Sequence, residues 1–231
     1  MKKKRRPVKD NESLVISFDI MESVDPKDDY TARIIGFCVA YNDLIHVHKE
    51  MLVRSSNKYR SYRRYLLKIA IAQLREAYWM LHKCFEDEAT GKRLLAISEI
   101  DDKWQNIVSL VDGNDTKSFA KVVLSESRNL ISHYGFREKR DREMLSKIAQ
   151  EMSDGLHQGK IRIGERQGAT YFEFADDLLL SAILTLGEEY GLSEKEFFLK
   201  ISSLVGEIID LLYIVIMDFL TSISEIRKQF T

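Results

Sequence analysis

Helix breakers are scarce in this sequence, and their scarcity limits the folds that the chain can adopt. Only two prolines and 11 glycines occur among 231 residues, while apolar residues make up 45%. Proline removes a backbone donor and glycine costs conformational entropy, so a chain with few of either favours long helices. Apolar residues also recur at helical spacing. We therefore predict an all-α fold, a helical bundle of about six to seven helices in one domain over residues 1–231.

Capping and turn signals divide the chain into elements. Asp25-Pro26 predicts a helix start, Gly191 predicts a helix end, and Ser193 with Glu196 has the spacing of a capping box. Alternating residues bounded by glycines predict a small β-hairpin insertion near 160–174. Residues 1–12 are predicted to be a disordered basic tail. Helices are predicted at about 25–53, 58–86, 92–111, 116–134, 137–152, 175–190 and 194–228.

The most apolar stretch runs from Leu204 to Ile223. Glu207, Asp210 and Asp218 interrupt it, and a charge at bilayer depth costs roughly 2.5–3.5 kcal/mol. We therefore expect no membrane span. Because the helix is apolar nearly all round, it is either central to the bundle or half of a dimer interface.

The two cysteines are too few for a disulfide framework. Cys38 and Cys84 each fall in a helical apolar pattern, which favours buried, reduced thiols. Reduced thiols are typical of the cytosol, so we predict a cytoplasmic location. No metal-ligand spacing, phosphate loop or nucleophile motif is present, and we expect neither a cofactor nor a metal.

The charge balance gives no general attraction to nucleic acid or anionic membranes. The formal net charge is -1 and the isoelectric point is near 6.5, so nucleic-acid binding requires a local patch. One candidate is Lys58–Tyr65, where basic and aromatic residues alternate. Its tyrosines either stack on nucleic-acid bases, or pack inward while the arginines extend along the surface.

The densest group of chemically useful side chains lies in Arg128–Gly135, near a predicted helix end. Arginine neutralises the charge of a phosphate, an amide can position the phosphate group, and histidine transfers protons near neutral pH. Asn129 and His133 share a helix face, whereas Arg128 and His133 are roughly 140° apart. The three converge only if the arginine bends round the helix, or if a two-fold dimer brings a second copy alongside.

Neighbouring polar residues are candidate substrate contacts. Lys121, Ser125 and Ser132 fall on the same side of the helical wheel as the arginine, and Tyr134 follows the histidine. The two serines are small and leave room for a substrate strand. Gly135 matches the glycine that commonly ends a helix.

The pattern Arg128-Asn129-x-x-x-His133-Tyr134, near a helix end of an all-helical chain, resembles the HEPN family and its Arg-x(4–6)-His motif. The resemblance covers about residues 25–155; the hairpin and two C-terminal helices at 156–231 lie outside it. It implies a homodimeric, metal-independent endoribonuclease that cuts RNA with Arg128, Asn129 and His133. It also implies a toxin or abortive-infection protein of phage defence, with an antitoxin as partner.

Other interpretations of these residues stay open. The loose motif occurs a second time, from Arg75 to His82, where packing or an ion pair is the favoured interpretation. Arg128 is also typical of an arginine exposed on a helix surface, and His133 of a histidine that caps a helix end. The alternative function is a non-catalytic helical interaction or nucleic-acid-binding module that dimerises through its apolar C-terminal helix.

Overall fold

The computed structural model describes residues 9–10, 13–14, 28–53, 60–112, 118–133, 143, 146–150 and 173–223. The prediction of an all-α fold is confirmed. The helices are α1 Asp29–Val53, α2 Arg60–Glu86, α3 Glu88–Leu95, α4 Ile100–Asp112, a π-helix Ala120–Ser125, α5 Glu126–His133, α6 Glu173–Glu189 and α7 Glu194–Ser222. Residues 146–150 are also helical. Two short antiparallel strands, β1 Lys9–Asp10 and β2 Ser13–Leu14, pair with each other.

Helix α7 lies at the centre of the bundle. It packs against α1, α2, α4 and α6. A helix with neighbours on several sides must be apolar around most of its circumference, which explains its composition. Its buried residues are Phe197, Ile201, Leu204, Val205, Ile208, Ile209, Leu211, Leu212, Val215 and Ile216. The apolar pattern is therefore satisfied within the chain and does not require a dimer. Across the described helices, none combines the length and apolar character that crossing a bilayer requires.

Helices α1 and α2 form an antiparallel pair on one side of α7. Arg33 near the start of α1 donates a hydrogen bond of 3.4 Å to Cys84 Sγ near the end of α2. Farther along, Val47 packs with Leu66. Both cysteines are free thiols, and burial raises the pKa of the Cys38 thiol. Both lie in helices as predicted, and the predicted burial holds for Cys84, whereas Cys38 is half-buried.

The prediction of one helix over 92–111 is wrong, because α3 ends at Leu95 and α4 begins at Ile100. The turn between them passes through a left-handed backbone conformation at Glu99, where φ is 67°. Leu94 and Ile100 are both fully buried. On one straight helix these two positions would point roughly 120° apart, so the turn lets both side chains reach the core. Residues 96–99 contain neither glycine nor proline, and the sequence therefore carries no local sign of the break.

The predicted hairpin near 160–174 is not supported. Residues 151–172 lie outside the described residues, and Glu173 and Phe174, assigned to the second strand, open helix α6. Buried residues of α6 recur at helical spacing, at Ala182, Ile183 and Leu186. These positions lie in a 17-residue helix, and apolar residues at helical spacing outweigh a short local alternation.

The turn between α6 and α7 confirms the predicted glycine stop. Gly191 has a φ of 91°, a conformation that glycine adopts without steric cost. The Leu192 N–H donates to Gly187 O at 2.9 Å, and the Gly191 N–H donates to Glu188 O at 2.8 Å. These two bonds form a Schellman motif, which satisfies the last carbonyl groups of α6.

The predicted capping box at the start of α7 is confirmed. The Glu196 N–H donates to Ser193 Oγ at 3.4 Å, and the Glu196 carboxylate accepts the Ser193 N–H at 2.9 Å. The Ser193 hydroxyl also donates to that carboxylate at 2.6 Å. Both residues thus satisfy backbone or side-chain donors that would otherwise lack partners at the helix end.

Ser193→Ala is expected to lower the free energy of unfolding by about 1 kcal/mol, because it removes the cap of the central helix. Urea denaturation at neutral pH measures the difference. Ser202→Ala, at an exposed position inside the same helix, is the matched control and should change stability by less than about 0.5 kcal/mol. The hydrogen bonds from Ser193 hold the pKa of Glu196 below its usual value. The stabilisation is therefore present above the ordinary pKa and lost as pH falls through the lowered one, so the difference should shrink in acid.

Candidate functional site

A π-helix directly precedes the helix that carries the candidate residues. Ala120–Ser125 has π-helical hydrogen bonding, and α5 continues from it without a break. Its wider turn changes the rotation between residues on either side, so a wheel of constant 100° steps does not hold across it. Ser127, a polar residue of α5, is fully buried. The sequence carries no recognisable signal for this turn.

Helix α5 is anchored by Leu130, which is fully buried. Leu130 clusters with Ile148 and with Ala182 and Leu186 of α6. On another side α5 packs against α2. These two contacts hold the short helix in place and set the positions of Arg128 and Asn129 on it.

Arg128 reaches across to α2, where it meets a second arginine on one carboxylate. Its Nε donates to Glu76 Oε1 at 3.2 Å, and Arg75 Nη1 donates to the same oxygen at 2.8 Å. The side chains of Arg128, Arg75 and Glu76 are 32%, 28% and 52% exposed. We refer to these three residues as the arginine cluster. Two guanidinium groups and one carboxylate leave the cluster with one positive charge close to solvent.

The structure describes the other candidate residues in part. Asn129 is half-buried beside Arg128 on α5. Lys121 is exposed and Ser125 is half-buried, and both lie in the π-helix. Ser132 and His133 are the last residues of α5. Their side chains, and the whole of Tyr134, lie outside the described residues.

The second motif match, Arg75 to His82, makes the structural contacts that were predicted for it. His82 Nδ1 lies 3.2 Å from Glu86 Oε2, an ion-pair distance without the angle of a hydrogen bond. The His82 ring packs within 5.4 Å of the Trp79 ring and 6.3 Å of the Trp104 ring. The packing interpretation is therefore confirmed for His82. Arg75 takes a further part, because it joins the cluster with Arg128.

Glu76 is the one residue of the arginine cluster that the sequence motifs did not include. It meets Arg128 across 52 positions of the chain. No local pattern reports such a contact, because it depends on how α2 and α5 pack. The sequence shows only that Glu76 directly follows Arg75, which does not indicate a contact with Arg128.

Buried polar atoms without partners lie on the two helices that carry the cluster. They are Arg75 Nε, Trp79 Nε1 and His82 Nδ1 on α2 and Ser127 Oγ on α5. A buried polar group without a hydrogen bond costs about 1–3 kcal/mol, and few occur in native proteins. Trp79 is one helical turn from Arg75. The guanidinium carbon of Arg75 lies 5.9 Å from the centroid of the Trp79 ring.

The basic and aromatic patch at Lys58–Tyr65 is described only at its end. Tyr65 is 47% exposed, and Lys68 Nζ lies 5.9 Å from its ring centroid. The inward orientation expected from the packing interpretation does not hold for this tyrosine. The side chains of residues 58–64 lie outside the described residues.

Comparison with known proteins adds no relative to this picture. No family model, curated protein or solved structure matches the chain. Within the part of the chain that the structure describes, no three His, Cys, Asp or Glu side chains are placed to hold a metal ion together. The interpretation of the site therefore depends on its own residues and contacts.

Proposed function

We propose that this protein is a HEPN-like, metal-independent endoribonuclease whose active site includes Arg128, Asn129 and His133. The arginine cluster is the observation that carries the proposal. It combines a partly exposed positive charge with an amide on the next residue, on the helix that ends at His133. A phosphodiester is an anion with several acceptor oxygens, which is the chemistry that such a group recognises.

The proposed reaction is a transesterification within the RNA backbone. The 2′-hydroxyl oxygen bonds to phosphorus while the bond from phosphorus to the 5′-oxygen breaks, giving a 2′,3′-cyclic phosphate and a 5′-hydroxyl. His133 takes the proton of the 2′-hydroxyl or donates one to the leaving 5′-oxygen, since its ordinary pKa suits both roles. Arg128 neutralises the charge that grows on the phosphorane, and Asn129 positions the phosphate.

The geometry of Arg128 supports this role. Its hydrogen bond to Glu76 uses Nε, so the edge formed by Nη1 and Nη2 is directed away from that bond. A guanidinium held by a carboxylate is oriented before substrate arrives and loses less side-chain freedom on binding. Lys121, Ser125, Ser132 and Tyr134 are proposed as further substrate contacts.

The proposal includes a composite site across a two-fold homodimer. Arg128 and His133 diverge by roughly 140° on a regular helix, and Arg128 is bound toward α2. A second copy could supply the histidine that faces the arginine of the first. A part in phage defence, with an antitoxin as partner, is proposed on the motif resemblance alone.

A second candidate function is RNA binding without cleavage. The exposed Tyr65 ring with Lys68 beside it favours this alternative, because an aromatic surface with a nearby cation suits stacking on unpaired bases. It differs from the first proposal in leaving the RNA intact.

Incubation of the purified protein with end-labelled single-stranded RNA in excess EDTA tests the first proposal. We expect shorter fragments that end in a 2′,3′-cyclic phosphate, because the chemistry uses only protein side chains. RNA that stays intact at saturating protein contradicts the nuclease. Retention of that intact RNA on a native gel would support the second candidate function.

A further inference from the structure

We propose that Arg75 and Trp79 on α2 form a second phosphate-binding site for the RNA substrate, next to the site at Arg128. The inference rests on the proposed function, because it assigns a neighbouring phosphodiester of the same RNA to these two side chains. It assigns a binding role to Trp79, whose ring packs against the His82 ring, and to Arg75 one helical turn before it.

The Arg75 and Trp79 side chains lie next to each other on α2. Residues 75 and 79 are one turn apart on α2 and therefore share a face. The Arg75 guanidinium carbon lies 5.9 Å from the Trp79 ring centroid. The Arg75 side chain is 28% exposed and shares Glu76 Oε1 with Arg128. A ligand at Arg75 would therefore lie beside a ligand at Arg128.

Two buried donor atoms of this pair lack hydrogen-bond partners. Arg75 Nε and Trp79 Nε1 are both buried without a hydrogen bond. Each atom carries an N–H group and can only donate. A partner for them must supply acceptor oxygens. Protein atoms among the described residues do not supply these oxygens, and an RNA phosphate that displaces the side chains covering the two N–H groups would supply them.

The net positive charge of the arginine cluster favours a negatively charged ligand. Arg75 and Arg128 both donate to one oxygen of Glu76, so a single carboxylate serves two guanidinium groups. One positive charge is left over. An uncharged acceptor, such as the carbonyl of a base, would leave this charge in place, whereas a phosphodiester neutralises it. The charge favours the RNA backbone over the bases as the ligand.

Conservative variants separate the roles of charge and hydrogen bonding. Arg75→Lys keeps the positive charge but removes the Nε donor, and Trp79→Phe keeps an aromatic ring but removes its N–H. Arg75→Ala removes charge and donors together. Arg93→Lys is the matched control, because Arg93 is an exposed arginine paired with Asp28, away from the cluster.

The experiment measures the dissociation constant of a fluorescein-labelled single-stranded RNA by anisotropy over a series of salt concentrations. All variants are made in the full chain carrying His133→Ala, so that the RNA is not consumed. Each of Arg75→Lys and Trp79→Phe should weaken binding about tenfold, the range of a hydrogen bond to a charged group. Arg75→Ala should also lower the salt slope by about 0.7, the value of one phosphate on a single strand. Trp79→Phe and Arg93→Lys should leave the slope unchanged.

Two results would overturn the second site. One is an unchanged dissociation constant in both Arg75→Lys and Trp79→Phe while circular dichroism shows both variants folded. The other is an unchanged salt slope in Arg75→Ala.

The outcomes also separate this inference from the nuclease itself. If the wild-type protein cuts RNA but the Arg75 and Trp79 variants bind it normally, the second site fails and the nuclease stands. If the wild-type protein leaves RNA intact while Arg75→Ala lowers the salt slope, the nuclease fails and the phosphate site stands.

Discussion

Replacing His133 with alanine is expected to lower the rate of RNA cleavage in EDTA by roughly 10²- to 10⁴-fold, the contribution of a general acid or base. Arg128→Ala should lower it by roughly 10²- to 10³-fold, since it removes a donor to the developing charge. Single-turnover cleavage of end-labelled RNA measures both rates. Arg93→Ala, which removes an exposed arginine outside the site, is the control and should cleave at the wild-type rate. Equal cleavage by His133→Ala would exclude the proposed mechanism.

A mixture of two inactive variants tests whether the site is shared between subunits. In a composite site, a dimer of one Arg128→Ala subunit and one His133→Ala subunit contains one intact pair and one doubly altered pair. Equal mixing with subunit exchange should therefore restore about a quarter of the wild-type activity. A mixture as inactive as its components would place both residues of each site on one subunit. An inactive mixture would not contradict the proposed nuclease activity.

Phe197→Ala is expected to lower the free energy of unfolding by about 3–5 kcal/mol, the loss typical of a large ring removed from a core. Phe197 is fully buried near the start of α7. Its ring lies 6.4 Å from the Phe119 ring and packs against Gly187 of α6. Urea denaturation measures the loss. Leu199→Ala, at a side chain 61% exposed on the same helix, is the matched control and should change stability by less than about 0.5 kcal/mol.

The contact between Gly187 and Phe197 predicts that substitutions at these two positions have non-additive effects on the free energy of unfolding. A Cβ atom at Gly187 would lie 2.7 Å from Phe197 Cδ2, so Gly187→Ala forces the buried ring to move. Such overpacking costs about 1–3 kcal/mol, whereas alanine in a helix gains about 1 kcal/mol over glycine. In the Phe197→Ala background the clash is gone and only the gain remains. Gly187→Ala should therefore be more favourable there than in the wild type by at least about 1 kcal/mol, and additive effects would contradict the contact.

Local interactions made several features predictable from the sequence. The helical class followed from the scarcity of proline and from apolar spacing, which depend on each segment alone. The stop at Gly191 and the cap at Ser193 and Glu196 were also predicted and are present. Each depends on hydrogen bonds within a few residues of the chain. Arg128 and Asn129 were proposed as site residues from their spacing to His133, which likewise depends on one segment alone.

The tertiary structure decided what depends on residues far apart in sequence. The turn at residues 96–99 brings Leu94 and Ile100 into one core, and no local residue marks it. Other helices of the same chain cover the apolar α7. Its composition alone was equally compatible with a dimer interface. Arg128 and Arg75 meet on Glu76 only because α5 packs on α2. Periodicity reports which face of a helix is buried, whereas the identity of the facing side chain depends on how separate helices pack.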